Sequence, residues 1–409
     1  MNTMNASGSA PGAARGRLSD WLKMGFCAFA ALLLAASAGC TTGDGGGGGG
    51  DANDNNANLN DNANGNDNTN TNDNANDNQP DNDNATGESF LYVLQPDAVG
   101  DAALAAASFA WLVLEPSREG DAASEFTRAE LDAIRQGGAC GDKMILAYLS
   151  IGEAEDYRDY WDPGWVNGEG GAPIDGVAPS WLGPSNPDWG GNYKVRYWDP
   201  GWQATILGTA SGPQKTPLDR IIDAGVDGVY LDIVDAFEFW SDPDEGIEEL
   251  TRPEARERMI DWITRIAEYA RDTRGVEGFL VFPQNADEII YNDDDELDDL
   301  SEAYFAVIDG IGIEDLVYSG TDPNDEEDVT RRLATLAEFT DRGKTVLVTD
   351  YVLSANYTPA NSGSRVADFV GRARQAGLIP YAAVEEGDLN EVVVLDGDWP
   401  VVQPMPCEP

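Results

Sequence analysis

From residue 87 onward the chain alternates between two kinds of pattern. Short β-branched or aromatic runs are each followed by amphipathic stretches with helical spacing. The runs predict strands over 90–95 (FLYVLQ), 109–116 (FAWLVLEP), 144–152 (MILAYLSIG), 228–233 (GVYLDI), 278–285 (GFLVFPQN), 305–314 (FAVIDGIGIE), 345–351 (TVLVTDY) and 379–384 (IPYAAV). Helical patterns fall between most of them: TRAELDAIRQGG, PLDRIIDAG, RPEARERMIDWITRIAEYARDTRG, DVTRRLATLAEFTDRG and SRVADFVGRARQAG. Several close on Gly, as helix C-termini do. Strands this apolar need both faces covered, which is the habit of a parallel sheet flanked by helices. Eight of them over 87–409 predict an α/β domain of the single (β/α)8 barrel type. A doubly wound open sheet is the alternative, although no Gly-rich phosphate loop follows the first strand.

In a barrel the site lies at the carboxyl ends of the strands. Those ends carry Gln95, Glu115, Ser150 through Glu155, Asp232 with Asp235, Gln284 with Asn285, Glu314 with Asp315, and Asp350 with Tyr351. Asp232 interrupts an apolar strand, and a buried carboxylate is costly unless partnered. Asp235 has a second reading, as the cap of the short helix that AFEFW begins. Glu314 follows DGIGI, where small residues leave room. Between the third and fourth strands lies a long connection holding six of the eleven tryptophans: Trp161, Trp165, Trp181, Trp189, Trp198 and Trp202. Long loops of this kind are usually functional, and indole faces stack on sugar rings. The expectation is a satellite core with two of its rings turned to a ligand.

The chain before residue 87 follows neither pattern. Arg15, Arg17 and Lys23 precede the apolar run MGFCAFAALLLAASAGC, too short to span a bilayer comfortably, so residues 1–39 read as a signal peptide. The run ends Ser37-Ala38-Gly39-Cys40, which resembles a lipoprotein cleavage site with Ser37 where Leu is usual. Cys40 would then carry the lipid that holds the protein to the outer or cytoplasmic membrane; an ordinary secretory signal is the other reading. Both imply export. Residues 40–86, rich in Gly, Asn and Asp, have almost nothing to bury and read as a disordered tether. They lack the fixed Gly and closing Glu of a calcium loop. Cys140 and Cys407 remain as the cysteines of the exported domain, and outside the cytoplasm such a pair is expected to be bridged.

Composition narrows the chemistry. The 409 residues carry Lys+Arg 25 against Asp+Glu 74, a formal net charge of −49, and no histidine. That excludes a Ser-His-Asp triad, a Cys-His nucleophile and His-ligated zinc or haem. Nucleic acid is excluded as a partner, because it needs a basic footprint. Proton transfer falls to carboxylates, Tyr, Lys or Cys.

The segments LAYLSIGEAEDYR, NPDWGGNYKVRYWDPGWQATI, LDRIIDAGVDGVYLDIVD, PQNADEI and IDGIGIEDLVY, in this order between about 88 and 385, resemble the bacterial branch of glycoside hydrolase family 114. The resemblance implies a (β/α)8 barrel and an endo-α-1,4-polygalactosaminidase-like activity on galactosamine-rich polymers. It places the two catalytic carboxylates at Asp232 and Glu314. It implies substrate contacts from Tyr148, Ser150, Glu155 and Arg158 in the first segment and from Asn285 in the fourth, with Gln95, Glu115, Asp235, Asp350 and Tyr351 completing the rim. The family commonly has Asp where this chain has Glu115.

The chemistry is consistent with this. Glycoside hydrolysis needs one ionised and one protonated carboxyl beside the scissile bond, with no metal or other cofactor. Asp232 is expected as nucleophile and Glu314 as acid/base, with retention if the two lie about 5–5.5 Å apart. A cationic, partly de-N-acetylated polysaccharide would be attracted to so acidic a domain. Two readings from other classes stay open: a carbohydrate-binding lipoprotein on a catalytically silent barrel, and a metal hydrolase built on Asp232, Asp235, Glu314 and Asp350.

Overall fold

The computed structural model describes residues 89–405, apart from 140, 169, 209–214, 242–246 and 248. The expected signal peptide, tether, lipidated Cys40 and the Cys140–Cys407 bridge therefore lie outside the described residues.

All eight expected strands form, each buried along most of its length: β1 Phe90–Val93, β2 Trp111–Leu114, β3 Met144–Ser150, β4 Gly228–Asp232, β5 Leu280–Pro283, β6 Gly310–Glu314, β7 Thr345–Leu353 and β8 Ile379–Val384. A helix separates each strand from the next: α1 Asp101–Ala106, α2 Arg128–Gln136, α3 Pro217–Ala224, α4 Arg252–Glu268, α5 Asp299–Val307, α6 Glu326–Thr340 and α7 Pro359–Gln375. Helix starts are written in the sequence. Thr127, Thr216 and Thr358 each accept the backbone N–H three residues on, and the residue there answers with its own side chain. Lys143, buried before β3, donates to the carbonyls of Ala105, Ile134 and Gly137 at 3.0, 2.9 and 2.6 Å, capping the C-terminal ends of α1 and α2.

Most strand ends fall within two residues of expectation, and the start of the sixth differs most. Residues 305–307 of the expected sixth strand belong to α5, and β6 begins only at Gly310. Phe305, buried against Phe339 at 5.1 Å between ring centroids, serves helix packing as well as it would have served a strand. Short apolar runs do not distinguish the two.

Every ladder among the eight strands is parallel. β1-β2-β3-β4-β5 form one sheet and β6-β7-β8 another. A bridge between Gln284 and Gly312 joins β5 to β6. The far seam departs from a closed barrel: β1 and β8 share no ladder among the described residues. Phe90 and Tyr381 meet across it with ring centroids 5.6 Å apart. At Ala382 the Gln403 amide takes the place of a ladder neighbour, accepting from the backbone N–H at 2.8 Å and donating to the carbonyl at 3.0 Å. Leu389 O accepts from the N–H groups of both Leu94 and Gln95, so the C-terminal segment is stitched across the end of β1.

The long connection after β3 builds its own sheet, Glu153–Glu155, Asn192–Val195 and Leu182–Ser185, all antiparallel. Its tryptophans form the expected satellite core. Trp161, Trp165, Trp181 and Trp202 follow one another at centroid distances of 5.3, 5.4 and 5.0 Å, while Trp198 packs edge-on against Trp240. Trp202 donates its indole N–H to Ile151 O at 2.9 Å, tying the insert to the end of β3.

Candidate active site

Strand alternation sets the site. On β6 the residues Gly310, Gly312 and Glu314 share one face, and the two glycines leave that face bare. A Cβ at Gly310 would lie 2.2 Å from the Phe282 ring, and one at Gly312 would lie 1.8 Å from the Tyr230 hydroxyl. The aromatic rings of β5 and β4 thus fill the interior below, and the last position of β6 lifts Glu314 above them. Asp232 ends β4 in the same way, and β5 between them is followed directly by Gln284 and Asn285.

Glu314 is held by three side chains. Tyr351 donates its hydroxyl to Oε1 in a short hydrogen bond. Gln284 and Asn285 donate their amides to Oε2 at 2.5 and 3.2 Å. Asn285 also accepts the Glu314 backbone N–H at 3.0 Å, so β5 clamps β6 at the carboxylate itself. Behind this, Tyr92 donates to Gln284 Oε1 at 3.2 Å, fixing which end of that amide meets Glu314. Asp232 has two donors, one per oxygen: Tyr148 OH to Oδ2 at 2.5 Å and Ile233 N–H to Oδ1 at 2.8 Å.

Burial pushes both carboxyls upward, against the pull of their donors. Asp232 reaches about 8, with the negative charge of Glu314 adding to desolvation. Glu314 is raised by burial, opposed by its hydrogen bonds to Tyr351, Asn285 and Gln284. Neither is sealed off, for both side chains stay partly accessible. Both carboxyls thus hold a proton more tightly than exposed acids do.

Asp235 stands at the start of the helix Ala236–Phe239, but its carboxylate makes no capping hydrogen bond. It is raised by burial and drawn down by the Lys194 ammonium. Lys194, on the inserted sheet, pairs with the fully buried Glu153 at 2.6 Å. Glu153 also accepts from Asn186 at 2.9 Å and from Asn192 at 3.1 Å. Lys194 and Glu153 were not singled out from the sequence. The alternation in NYKV placed the lysine on one face of a strand, but nothing in the residues showed which carboxylates that face would meet.

The other rim residues divide. Glu115 and Arg158 form a two-pronged ion pair at 2.7 and 2.9 Å, and Arg158 reaches Glu155 at 2.8 Å, so these three spend their charges on one another. Ser150 donates to Glu153 O at 3.0 Å and Gln95 to Asp388 O at 2.8 Å. Asp350 is fully buried and accepts the N–H groups of Leu316, Val317 and Tyr318 at 2.8, 2.9 and 2.9 Å, holding the loop that follows Glu314. It supports the site from beneath. A cavity of about 390 Å³ lies over β3 between α2 and α3, and its lining includes Tyr148, Ser150, Glu155 and Arg158.

Two carboxyls at the ends of parallel strands, held by phenols and amides and needing no imidazole, are groups that glycoside hydrolysis can use. The chain belongs to glycoside-hydrolase family GH114, whose family model matches residues 68–398. An uncharacterized protein of Methanocaldococcus jannaschii is 32% identical over 310 residues, 76% of this chain and 80% of that one. An uncharacterized protein of Thermotoga maritima is 32% identical over 314 residues, 76% of this chain and 85% of that one. Among solved structures, the glycoside hydrolase domain of PelA from Pseudomonas aeruginosa is similar with a TM-score of 0.47 at 16% identity, over 75% of this chain and 98% of that one.

Proposed function

We propose that this glycoside hydrolase is exported and cleaves α-1,4-linked, galactosamine-rich polysaccharide within the chain, with Asp232 and Glu314 as its two working carboxyls. The observation that carries the reading is the pair itself: two partly accessible acids at the ends of β4 and β6, each fixed by its own donors and each raised by burial. On this reading the two parallel sheets act as one (β/α)8 barrel whose open seam is closed by side chains and the C-terminal segment. Asp235, without a hydrogen-bonding cap role, offers a carboxylate to an ammonium or hydroxyl of the sugar. A net charge of −49 would draw a cationic polymer toward the domain. Residues 1–86 supply the export signal and tether, with lipid on Cys40.

Asp232 is assigned as nucleophile and Glu314 as acid/base, with retention of configuration. A bound sugar covers Asp232, its ammonium favours the Asp232 anion, and Glu314 holds the proton. One observation favours the opposite assignment. Glu314 has three side-chain donors and Asp232 only one besides the Ile233 amide, which favours the anion at Glu314 in the free protein.

The test offers residues 87–409 a panel of α-galactosaminoglycan, chitosan, α-glucan and pectin and measures new reducing ends. Release from α-galactosaminoglycan alone supports the substrate. Binding without release in that panel would instead leave a carbohydrate-binding protein.

A further inference from the structure

Three strands in succession end in the same backbone device. Ile233 after Asp232, Asn285 after Gln284 and Asp315 after Glu314 take φ of 58°, 57° and 51°. Left-handed backbone is ordinary for Asn and Asp, which can bond locally, but for a β-branched residue it is a true outlier. Such strain persists only where the surroundings over-determine it, and it gathers at functional sites.

The surroundings of Ile233 do so. Gly152 faces it without a side chain; a Cβ there would lie 2.1 Å from Ile233 O and 2.8 Å from both Ile233 Cγ2 and Ala236 Cβ. Ile151 N–H donates to Asp232 O at 3.0 Å, and Ala236 N–H to Ile233 O at 3.3 Å. The isoleucine is thus wedged between the end of β3 and the helix that follows. The turn folds the Ile233 N–H back onto Asp232 Oδ1 at 2.8 Å, leaving Oδ2 to Tyr148 at 2.5 Å. One donor on each oxygen fixes both the direction and the plane of the carboxylate.

We propose that Ile233 is a positioning residue: its left-handed turn, locked against Gly152, aims the Asp232 carboxylate at the sugar. The inference rests on Asp232 being one of the two working carboxyls. A glycine at 233 would take the same φ without strain, but it would also take others, and the amide would leave Oδ1. The branched side chain accepts a conformational cost and removes that freedom.

The test compares Ile233→Gly, Ile233→Val and Asp232→Asn with the parent protein, by reducing-end release from α-1,4-galactosaminoglycan and by a crystal structure of Ile233→Gly. Glycine should lower kcat tenfold or more with KM within twofold. It should also move the pH-profile limb belonging to Asp232 upward, because the anion has lost a donor. Valine, which keeps the branch, should recover kcat to within threefold. In the crystal the Asp232 carboxylate of the glycine variant should leave the 233 amide. A glycine variant with parental kcat and pH profile, or one whose Asp232–amide contact is intact, overturns the inference. A fall in melting temperature with kcat and pH profile unchanged reduces Ile233 to a packing residue and overturns it equally. Turnover by Asp232→Asn would overturn the reading of the site, and this inference with it.

Discussion

Asp232 keeps its proton up to about pH 8 because burial and the Glu314 charge both disfavour its anion, whereas an unhindered aspartate titrates near 3.8. An acid whose pKa rises on folding contributes stability that is fully present below the unfolded value and is lost as pH rises through the folded one. Asp232 therefore weakens the fold progressively from about pH 4 to pH 8, and Asp315, raised to about 8, acts in the same direction. Asp232→Asn should abolish turnover while its melting temperature, relative to the parent, climbs by several degrees over that pH window. Thermal melts at half-unit pH steps check this, and a pH-independent difference would contradict it. At this scale the sequence showed positions but not partners. Asp232 and Glu314 were legible because a carboxylate closing an apolar strand needs a reason. Ser150 ends a strand, Gln95 follows one and Asp350 lies within β7, yet their side chains are tied to Glu153 O, Asp388 O and three loop amides. Those partners come from distant segments or from backbone, and no residue type announces them. The supporting phenol Tyr92 went unnoticed because it reads as one more aromatic in a buried strand.

Among the elements, β6 is the one whose sequence is least interchangeable. Its pattern GIGIE puts isoleucines on one face, and glycines beneath Glu314 on the other. Gly312→Ala would drive a methyl into the Tyr230 phenol, which is fully buried and also packs edge-on against Tyr92 at 5.3 Å. Overpacking of this kind costs about 1–3 kcal/mol. The expected result is a melting temperature several degrees lower, with reduced kcat as β6 shifts Glu314. Differential scanning calorimetry and reducing-end assays read both, and an alanine variant with parental values would show that the interior is not filled as described. The eight strands were legible from their periodicity; the helices were legible as amphipathic stretches, although α7 begins at Pro359, ahead of the pattern that starts at Ser364. The boundary at residue 307 was not, since FAVI satisfies a strand and a helix alike. The tryptophan connection was legible as an insert, and its rings as a satellite core. That its sheet would carry Lys194 to Glu153 and Asp235 was not, because antiparallel register within an insert depends on tertiary packing.

For the molecule as a whole, the weak line is the seam between β1 and β8, spanned by Phe90, Tyr381 and the amide of Gln403. Gln403→Ala leaves the Ala382 N–H and carbonyl unpaired in a buried setting, at about 1–3 kcal/mol for each group. Urea unfolding should show a lower midpoint, and hydrogen exchange should rise along β8 before β3; uniform exchange would place the weak line elsewhere. The seam could not be foreseen from strand count, because closure depends on whether the last strand meets the first or the tail intervenes. The net charge of −49 bears on partners rather than on fold, and it is the ground for the proposed cationic substrate. In the proposed mechanism Asp232 attacks and Glu314 supplies and removes the proton. Its most direct measurement is the intact mass of the Glu314→Gln protein mixed with an activated aryl α-galactosaminide, followed by peptide mapping. The expected result is one galactosaminyl adduct on Asp232 that added azide discharges. An unmodified protein, or an adduct carried on Glu314 in the Asp232→Asn protein, would contradict it.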